Sequence, residues 1–146
     1  MWNDFGEYIL SEAGDDSVTI AEVAVGKFDR IANMLSEKDN ITLIKTDIQP
    51  ADTTVIKDDI TKPNLELYKN VDIIYSIRPP SELQPYLVRL AQETDSQLII
   101  KPLTNEDLNT GRVKMKLKNF KKASFNTGCT DIISKCVFHS FIFLSN

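Results

Sequence analysis

Residues 18–28 form an apolar segment that turns through one glycine into an amphipathic segment, and this order constrains the fold most strongly. Residues 18–25 are almost wholly apolar, as in a strand that is buried on both faces of a parallel sheet. A strand that feeds a helix through one tight turn is the repeating unit of α/β proteins, so we predict that class. The helix is indicated by apolar residues at helical spacing, which are Phe28, Ile31, Ala32 and Leu35.

Strand-like and helix-like patterns continue to alternate along the chain. Four further apolar segments have the length of strands, at residues 41–46, 54–57, 71–76 and 97–100. One helix is predicted before the first strand and another after the fourth, the latter capped by Ser81. Such an order implies parallel strands joined by right-handed crossovers. The predicted architecture is a Rossmann-like open sheet with mostly parallel strands and helices on both faces.

Length and composition fit one soluble domain. The chain has 146 residues, of which 42% are apolar and 26% are charged, and this suffices for a core without disulfides. The acidic N-terminus offers no signal-peptide pattern, and the apolar run from Cys136 to Leu144 is far shorter than a membrane span of about 20 residues. We predict a cytoplasmic protein with no membrane partner, and the sequence leaves its oligomeric state open.

The charges are divided unevenly between the two ends of the chain. Residues 1–110 contain 10 Lys/Arg and 20 Asp/Glu, whereas residues 111–146 contain seven Lys/Arg and one Asp. In residues 112–118 basic side chains alternate with apolar ones, so a strand there has one cationic face. This pattern favours an edge strand, where lysines prevent edge-to-edge pairing, over a face that contacts nucleic-acid phosphates. Nucleic acid stays an alternative partner, although no recognised binding motif accompanies the charge.

Small and acidic residues follow successive predicted strands, where an open α/β sheet binds its ligands. Gly26, helped by the small side chain of Ala24, allows a ligand to approach the backbone of the first turn. Asp47 lies 21 residues after Gly26, where a carboxylate accepts hydrogen bonds from ribose hydroxyls. Asp58 or Asp59 could accept a hydrogen bond from an adenine amino group. These residues predict a site for an adenosine-type small molecule.

The first turn argues against a dinucleotide. It lacks the G-x-G-x-x-G pattern that lays a pyrophosphate against a helix, since Ala24 and Lys27 leave one glycine. S-adenosylmethionine has no pyrophosphate and is therefore preferred to NAD as the cofactor. Cys129, Cys136 and His139 do not form a recognised zinc pattern, so no metal site is predicted.

Three segments carry a resemblance to a known family. They are Glu22-Val23-Ala24-Val25-Gly26-Lys27-Phe28, Thr46-Asp47-Ile48, and residues 72–84 with Ser76-Ile77-Arg78-Pro79-Pro80. They resemble the archaeal uncharacterised protein family 0146, whose members are similar to the nucleotide-binding core of class I S-adenosylmethionine-dependent methyltransferases. The resemblance covers residues 1–125 and implies a Rossmann-like domain there, followed by a divergent C-terminal tail at residues 126–146. The family carries no assigned activity.

The first motif of the broader methyltransferase pattern is altered in this chain. That motif usually reads acid-x-Gly-x-Gly-x-Gly. The resemblance assigns its acidic position to Glu22 and places Ala24 and Phe28 where two of the glycines are expected. Glu22, Ala24 and Gly26 therefore join the implied cofactor-binding set.

The turn after the fourth strand departs from the pattern as well. It resembles the Asp/Asn-Pro-Pro-Tyr turn of enzymes that methylate amino groups, but has neither the amide or acid nor the tyrosine. The resemblance therefore implies substrate binding at Ser76, Arg78 and Pro79 without implying N-methylation. Arg78 offers a fork of N–H donors to a carboxylate or a phosphate.

Two hypotheses of function remain. In the first, the protein is an S-adenosylmethionine-dependent methyltransferase whose acceptor is held by Arg78 and the basic residues 114–118. In the second, it is a catalytically silent module that binds a nucleotide-type ligand or a partner protein. Both share the predicted adenosine site, and the sequence assigns no catalytic residue.

Overall fold

The computed structural model of the chain describes residues 2–102 and 109–110, together with the backbone of residues 116–119 and 140–144. Strands and helices alternate within these ranges, which confirms the predicted α/β class. In chain order the elements are α1 (Trp2–Ala13), β1 (Val18–Val23), α2 (Arg30–Ser36), β2 (Ile41–Asp47), β3 (Ile56–Lys57), a 3-10 helix (Leu65–Tyr68), β4 (Ile73–Ile77), a second 3-10 helix (Ser81–Leu83), α3 (Gln84–Thr94), β5 (Gln97–Lys101), β6 (Lys116–Asn119) and β7 (Ser140–Leu144).

The strands of the described ranges form one sheet in the order β3-β2-β1-β4-β5-β7-β6. The five strands from β3 to β5 are parallel, and β7 is antiparallel to both β5 and β6. The chain runs outward from β1 to β3 and then returns to the other side of β1 to form β4. Open α/β sheets bind ligands outside the carboxyl ends of the strands at such a reversal. The predicted Rossmann-like, mostly parallel sheet is confirmed.

Helices cover both faces of the sheet, as predicted. On the first face α1 and α2 pack against alternate strand residues, and the core there includes Phe5, Ile9, Ile20, Ile31, Leu35, Tyr75 and Ile99. On the second face α3 packs against the other strand residues, and the core there includes Ala21, Tyr68, Ile74, Leu87, Leu90, Leu98 and Ile100. Because side chains alternate along a strand, Glu22 and Lys101 lie on the first face.

Strand β1 ends at Val23, two residues earlier than the predicted segment 18–25. Ala24 has a positive φ of 59°, so the chain leaves the sheet at this residue. Gly26 follows with a φ of 62°. A left-handed backbone is costly for any residue with a Cβ atom, by roughly 1–2 kcal/mol. Ala24 therefore keeps the backbone of a glycine turn although it is not a glycine.

Other strand boundaries also differ from the prediction. β3 has two residues rather than the predicted 54–57, because Thr54 belongs to a turn in which its N–H donates to Asp52 Oδ1 at 2.7 Å. β4 covers Ile73–Ile77 rather than 71–76, and it ends because Arg78 has a positive φ of 51°. β2 and β5 each extend one residue beyond the predicted end.

The predicted role of Ser81 as a helix N-cap is wrong. Ser81 is the first residue of a 3-10 helix that precedes α3, and its side chain caps no helix. α3 begins at Gln84, with Pro85 in its first turn, where the missing N–H of a proline costs no hydrogen bond. The 3-10 helix lengthens the connection from β4 and carries Leu83 toward the end of the sheet.

Strand β7 lies within residues 126–146, which the sequence separates from the domain. It pairs with β5 on one side and with β6 on the other, so β6 is an edge strand, as predicted from its lysines. The boundary at residue 125, the predicted helical turn at 104–108, and Cys129, Cys136 and His139 lie outside the described residues. None of the helices in the described ranges has the length and apolar character of a bilayer span.

Candidate functional site

A cleft of about 420 Å³ opens at the carboxyl ends of β1 to β4. This volume lies in the range of small-molecule sites. The cleft lies where the sheet order reverses between β1 and β4. Five of the six residues predicted to bind a cofactor line it, namely Ala24, Gly26, Asp47, Asp58 and Asp59. The topology therefore brings together residues that are far apart in the sequence.

Asp47 is oriented by the turn that contains Gly26. The N–H of Gly26 donates to Asp47 Oδ2 at 2.9 Å, and the N–H of Gln49 donates to Asp47 Oδ1 at 2.8 Å. A carboxylate has about four acceptor positions, so both oxygens keep capacity for a ligand. The space beside Gly26 is also open, since a Cβ atom built there would meet nothing within 4 Å. The turn that contains Gly26 and the carboxylate of Asp47, at the end of β2, are thus joined before any ligand binds.

Asp58 is held by the loop that follows it. Its Oδ1 accepts a hydrogen bond of 3.0 Å from the N–H of Asn64. The Tyr68 hydroxyl lies 2.7 Å from Asp58 Oδ2 and 2.9 Å from Thr46 Oγ1. Since a carboxylate can only accept, the phenol proton goes to Asp58 and the Thr46 hydroxyl supplies the second bond. Burial raises the pKa of Tyr68, and the charge of Asp58 adds to this, so the phenol stays neutral.

Asp59 has more remaining capacity to accept hydrogen bonds than Asp58. Its Oδ1 accepts from the N–H of Thr61 at 2.9 Å and from the Thr61 hydroxyl at 2.7 Å. These hydrogen bonds lower the pKa of Asp59. Within the described residues its Oδ2 makes no hydrogen bond. Of the two acids that the sequence could not separate, Asp59 is thus better placed to accept from a ligand.

Glu22 is the predicted cofactor-binding residue that the structure does not bring to the cleft. It is 1% exposed and lies on the first face of the sheet, where its Oε2 accepts a hydrogen bond of 2.7 Å from the Tyr75 hydroxyl. Burial raises the pKa of Glu22 to about 7, although Tyr75 and Lys45 act in the opposite direction. Glu22 therefore lies beneath the first turn rather than on its ligand side.

The three residues predicted to bind substrate lie at the end of β4 and in the turn after it, and they differ in exposure. Ser76 is fully buried, and its hydroxyl donates to the carbonyl oxygen of Val23 at 2.7 Å. Pro79 is buried as well. Arg78 is exposed, and its backbone N–H donates to the carbonyl oxygen of Lys101 at 2.6 Å. Arg78 is thus the member of the three that presents its side chain to solvent.

The apolar part of the cleft is not identified by the sequence analysis. Ile48 follows Asp47 directly and is 57% exposed, and Ile60 follows Asp59 in the same way. Their position immediately after a strand-end acid is a signal that could have found both. Leu83, the last residue of the second 3-10 helix, also lines the cleft. Its true position depends on the 3-10 helix, which is too short to leave a periodic pattern.

The sequence matches one family model, the Uncharacterised protein family (UPF0146), over residues 2–128. The chain belongs to this family. A UPF0146 protein of Methanothermobacter thermautotrophicus is 38% identical over 135 residues, which cover 92% of this chain and 100% of that protein. A UPF0146 protein of Methanocaldococcus jannaschii is 41% identical over 113 residues, which cover 73% and 80%. The resemblance carried by the three sequence segments is confirmed.

Solved structures with a similar fold include methyltransferases. The human methyltransferase 10 domain containing protein has a TM-score of 0.67, with 9% identity, over 99% of this chain and 81% of that one. The Haemonchus contortus phosphoethanolamine N-methyltransferase 2 in complex with S-adenosyl-L-methionine has a TM-score of 0.54, with 11% identity, over 96% and 51%. At such identities the likeness establishes the fold alone. The UPF0146 chain has a methyltransferase-like Rossmann fold.

Proposed function

We propose that this UPF0146 protein binds S-adenosylmethionine in the cleft and transfers its methyl group to a second substrate. The observation that carries the proposal is the hydrogen bond of 2.9 Å from the N–H of Gly26 to Asp47 Oδ2. It joins the glycine turn and the predicted ribose-binding acid into one site before any ligand arrives. The methyltransferase-like fold supports the same ligand class, and one structural neighbour is named as a complex with S-adenosyl-L-methionine.

The residues of the cleft fit the parts of an adenosine ligand. Asp47 keeps acceptor positions for the two ribose hydroxyls, and Asp59 Oδ2 is available for an amino group of the base. Ile48, Ile60 and Leu83 offer apolar surface to the purine ring. When bound, S-adenosylmethionine supplies a methyl group on a positively charged sulfur. The contribution of the protein is then to hold and orient the two substrates.

The first turn also favours S-adenosylmethionine over NAD in the structure. No helix begins directly after Gly26, since α2 starts at Arg30 and has seven residues. A pyrophosphate is normally held by the N-terminus of the helix that opens at such a turn. The acceptor side of the proposed site is the end of β4 and the turn after it, where Arg78 is the exposed member of the predicted set and Pro80 lines the cleft.

Calorimetric titration with S-adenosylmethionine, S-adenosylhomocysteine and NAD tests the cofactor. We expect S-adenosylhomocysteine to bind and Asp47→Asn to weaken it at least tenfold, about 1.4 kcal/mol. The amide keeps one acceptor oxygen where the carboxylate serves two N–H donors. Asp52→Asn is the matched control, because it removes the same charge from an exposed turn of the same loop. Failure of all three ligands to bind at millimolar concentration contradicts the proposal.

Transfer of a labelled methyl group tests the reaction itself. The protein is incubated with labelled S-adenosylmethionine and separated RNA, protein and small-molecule fractions of an archaeal extract. We expect label in one fraction, and at least tenfold less of it with Asp47→Asn at S-adenosylmethionine concentrations well below saturation. If S-adenosylhomocysteine binds and no fraction is labelled, the chain is a binding module rather than an enzyme.

A further inference from the structure

Two basic residues, Arg78 and Lys101, lie side by side at the carboxyl ends of β4 and β5. These strands are neighbours, and Ile77 pairs with Lys101, so Arg78 leaves β4 directly beside Lys101. The N–H of Arg78 donates to the carbonyl oxygen of Lys101 at 2.6 Å. This hydrogen bond holds Arg78 in its left-handed conformation, with a φ of 51°.

Lys101 carries a buried charge with little compensation. Its side chain is 3% exposed, and Nζ uses one of its three donors on the carbonyl oxygen of Pro102, at 3.1 Å. No carboxylate in the described part of the chain forms an ion pair with it. Buried ammonium groups are normally paired, because an isolated buried charge costs several kcal/mol. Burial, together with the charge of Arg78, lowers the pKa of Lys101 to about 8, so the ammonium form still prevails at neutral pH.

Arg78 keeps its hydrogen-bonding capacity for a ligand. Its guanidinium carbon lies 5.2 Å from the centroid of the Trp2 ring, and Trp2 packs on Phe28 at a centroid distance of 4.5 Å. The contact with the ring restrains the cation but uses none of its five N–H donors. Among the described residues no oxygen accepts from these donors. The exposed guanidinium is therefore restrained and available.

We propose that Arg78 and Lys101 form a subsite for an anionic group, a carboxylate or a phosphate, on the methyl acceptor. Arg78 contacts the anion. Lys101 is a positioning residue, which adds positive charge beneath the turn and holds the turn through its carbonyl oxygen. The described part of the chain provides no acidic partner for either cation. An anion bound here therefore offsets the repulsion between Arg78 and Lys101. Identifying the ligand as the acceptor rests on the proposed function, whereas the anion site does not.

Titration of the full chain with inorganic phosphate, and separately with acetate, tests the subsite without any adenosine ligand. Ionic strength is kept constant with chloride, and binding is followed by backbone NMR shifts. We expect saturable binding of at least one anion. Stronger binding of phosphate than of acetate would indicate a phosphorylated acceptor, and the reverse order would indicate a carboxylated one. Arg78→Gln should weaken binding at least tenfold. Arg89→Gln, which neutralises an exposed arginine on α3, should leave it unchanged.

Lys101→Met separates the charge of this residue from its structural role. We expect anion binding to weaken about tenfold while the chain stays folded, because an apolar side chain replaces an unpaired buried charge. In the unsubstituted protein the pKa of Lys101, followed at Nζ by NMR, should rise when phosphate binds, which a merely structural lysine does not show. Absence of saturable binding, or equal binding in Arg78→Gln, overturns the subsite. If S-adenosylhomocysteine binds and no anion does, the subsite alone is overturned. If an anion binds at Arg78 and S-adenosylhomocysteine does not bind, the cofactor proposal alone is overturned.

Discussion

Ala24 and Arg78 shape the site through their backbones. They follow β1 and β4, the neighbouring strands at the reversal of the sheet, and both have positive φ, of 59° and 51°. Each turns the chain away from the sheet at the carboxyl ends of the strands, which is the edge where the cleft lies. Residues other than glycine adopt a positive φ only where the surrounding structure compensates its energetic cost. Such positions concentrate at functional sites.

Ala24→Gly tests the strain at the first turn. Glycine removes the conformational strain of the positive φ, which costs roughly 1–2 kcal/mol. It also gives the unfolded chain more conformations, which lowers the free energy of unfolding by about 0.4–1 kcal/mol. We therefore expect the free energy of unfolding in urea to rise by up to about 1.6 kcal/mol. The control is Ala21→Gly in β1, which is fully buried and has no positive φ, and which should destabilise by about 1 kcal/mol or more. Equal destabilisation by both substitutions contradicts a strained Ala24.

Glu22 makes stability depend on pH. Its pKa is about 7 in the folded chain against an ordinary value of 4.5. Between these values the unfolded chain releases a proton that the folded chain keeps, so stability falls as pH rises through this window. The whole effect is about 3 kcal/mol, and it is absent below the window and complete above it.

Glu22→Gln should abolish this dependence, because the amide is neutral and its oxygen can still accept from Tyr75. We expect similar stability of the variant and the unsubstituted protein at pH 4, and a more stable variant at pH 8, measured by urea unfolding. Glu93→Gln, on the exposed face of α3, is the control and should change stability little at either pH. A difference that does not grow with pH counts against the buried acid.

At the scale of elements, the loop from β3 to β4 builds one wall of the cleft around a single carboxylate. Asn64 caps the 3-10 helix Leu65–Tyr68 with its side chain and donates its own N–H to Asp58. The helix places Tyr68 in the core, where its hydroxyl bridges Asp58 and Thr46. The loop is thus held to its first acid, Asp58, by two later residues, Asn64 and Tyr68.

Tyr68→Phe removes the bridge and keeps the ring. Asp58 Oδ2 and Thr46 Oγ1 lose their shared partner, which should cost about 1–2 kcal/mol of unfolding free energy. We also expect weaker binding of S-adenosylhomocysteine by calorimetry, because the wall that carries Asp59 is loosened. The control is Tyr86→Phe on α3, whose hydroxyl makes no hydrogen bond within the part of the chain that the structure describes. Equal effects of the two substitutions would argue against the bridge.

Buried strands are the elements that the sequence predicts best. β1, β4 and β5 are mostly apolar because both of their faces are covered, whereas β2 is only partly buried. The positions of the acids at the strand ends follow once the strand order is assumed. The ends of β1 and β4 escape prediction, because neither Ala24 nor Arg78 is a residue type that signals a positive φ. The 3-10 helices escape it because three or four residues show no period. The burial of Glu22 was open to prediction, since alternation places it on the face opposite Val23.

At the scale of the whole molecule, one strand of the sheet lies within the residues that the sequence assigned to a divergent C-terminal tail. β7 lies between β5 and β6, so it covers the edge of β5 that would otherwise be unpaired. The residues of β5 paired with β7, Leu98 to Ile100, are buried. An uncovered apolar edge strand invites pairing between molecules. A division of the chain at residue 125 would place this cover outside the domain.

Ile142→Pro tests whether β7 is part of the domain. Ile142 pairs with Ile100 on one side and Leu117 on the other, and proline removes an N–H from a strand with two neighbours. We expect a loss of stability of about 3 kcal/mol or more, and concentration-dependent association in light scattering. Ile142→Ala keeps the N–H and serves as the control. Unchanged stability in the proline variant would support a tail separate from residues 1–125.

The hydroxyl of Ser76, bonded to the carbonyl oxygen of Val23, limits how far β1 and β4 can separate when a ligand arrives. It links β4 to β1 at the point where the strand order reverses, so we expect these two strands to move together. Widening or narrowing of the cleft is left to its rim, the loop at residues 58–68 on one side and the turn at residues 78–83 on the other. We therefore expect the residence time of a ligand to depend on how often these two segments open, with β1 and β4 keeping the same shape in the empty and the filled protein.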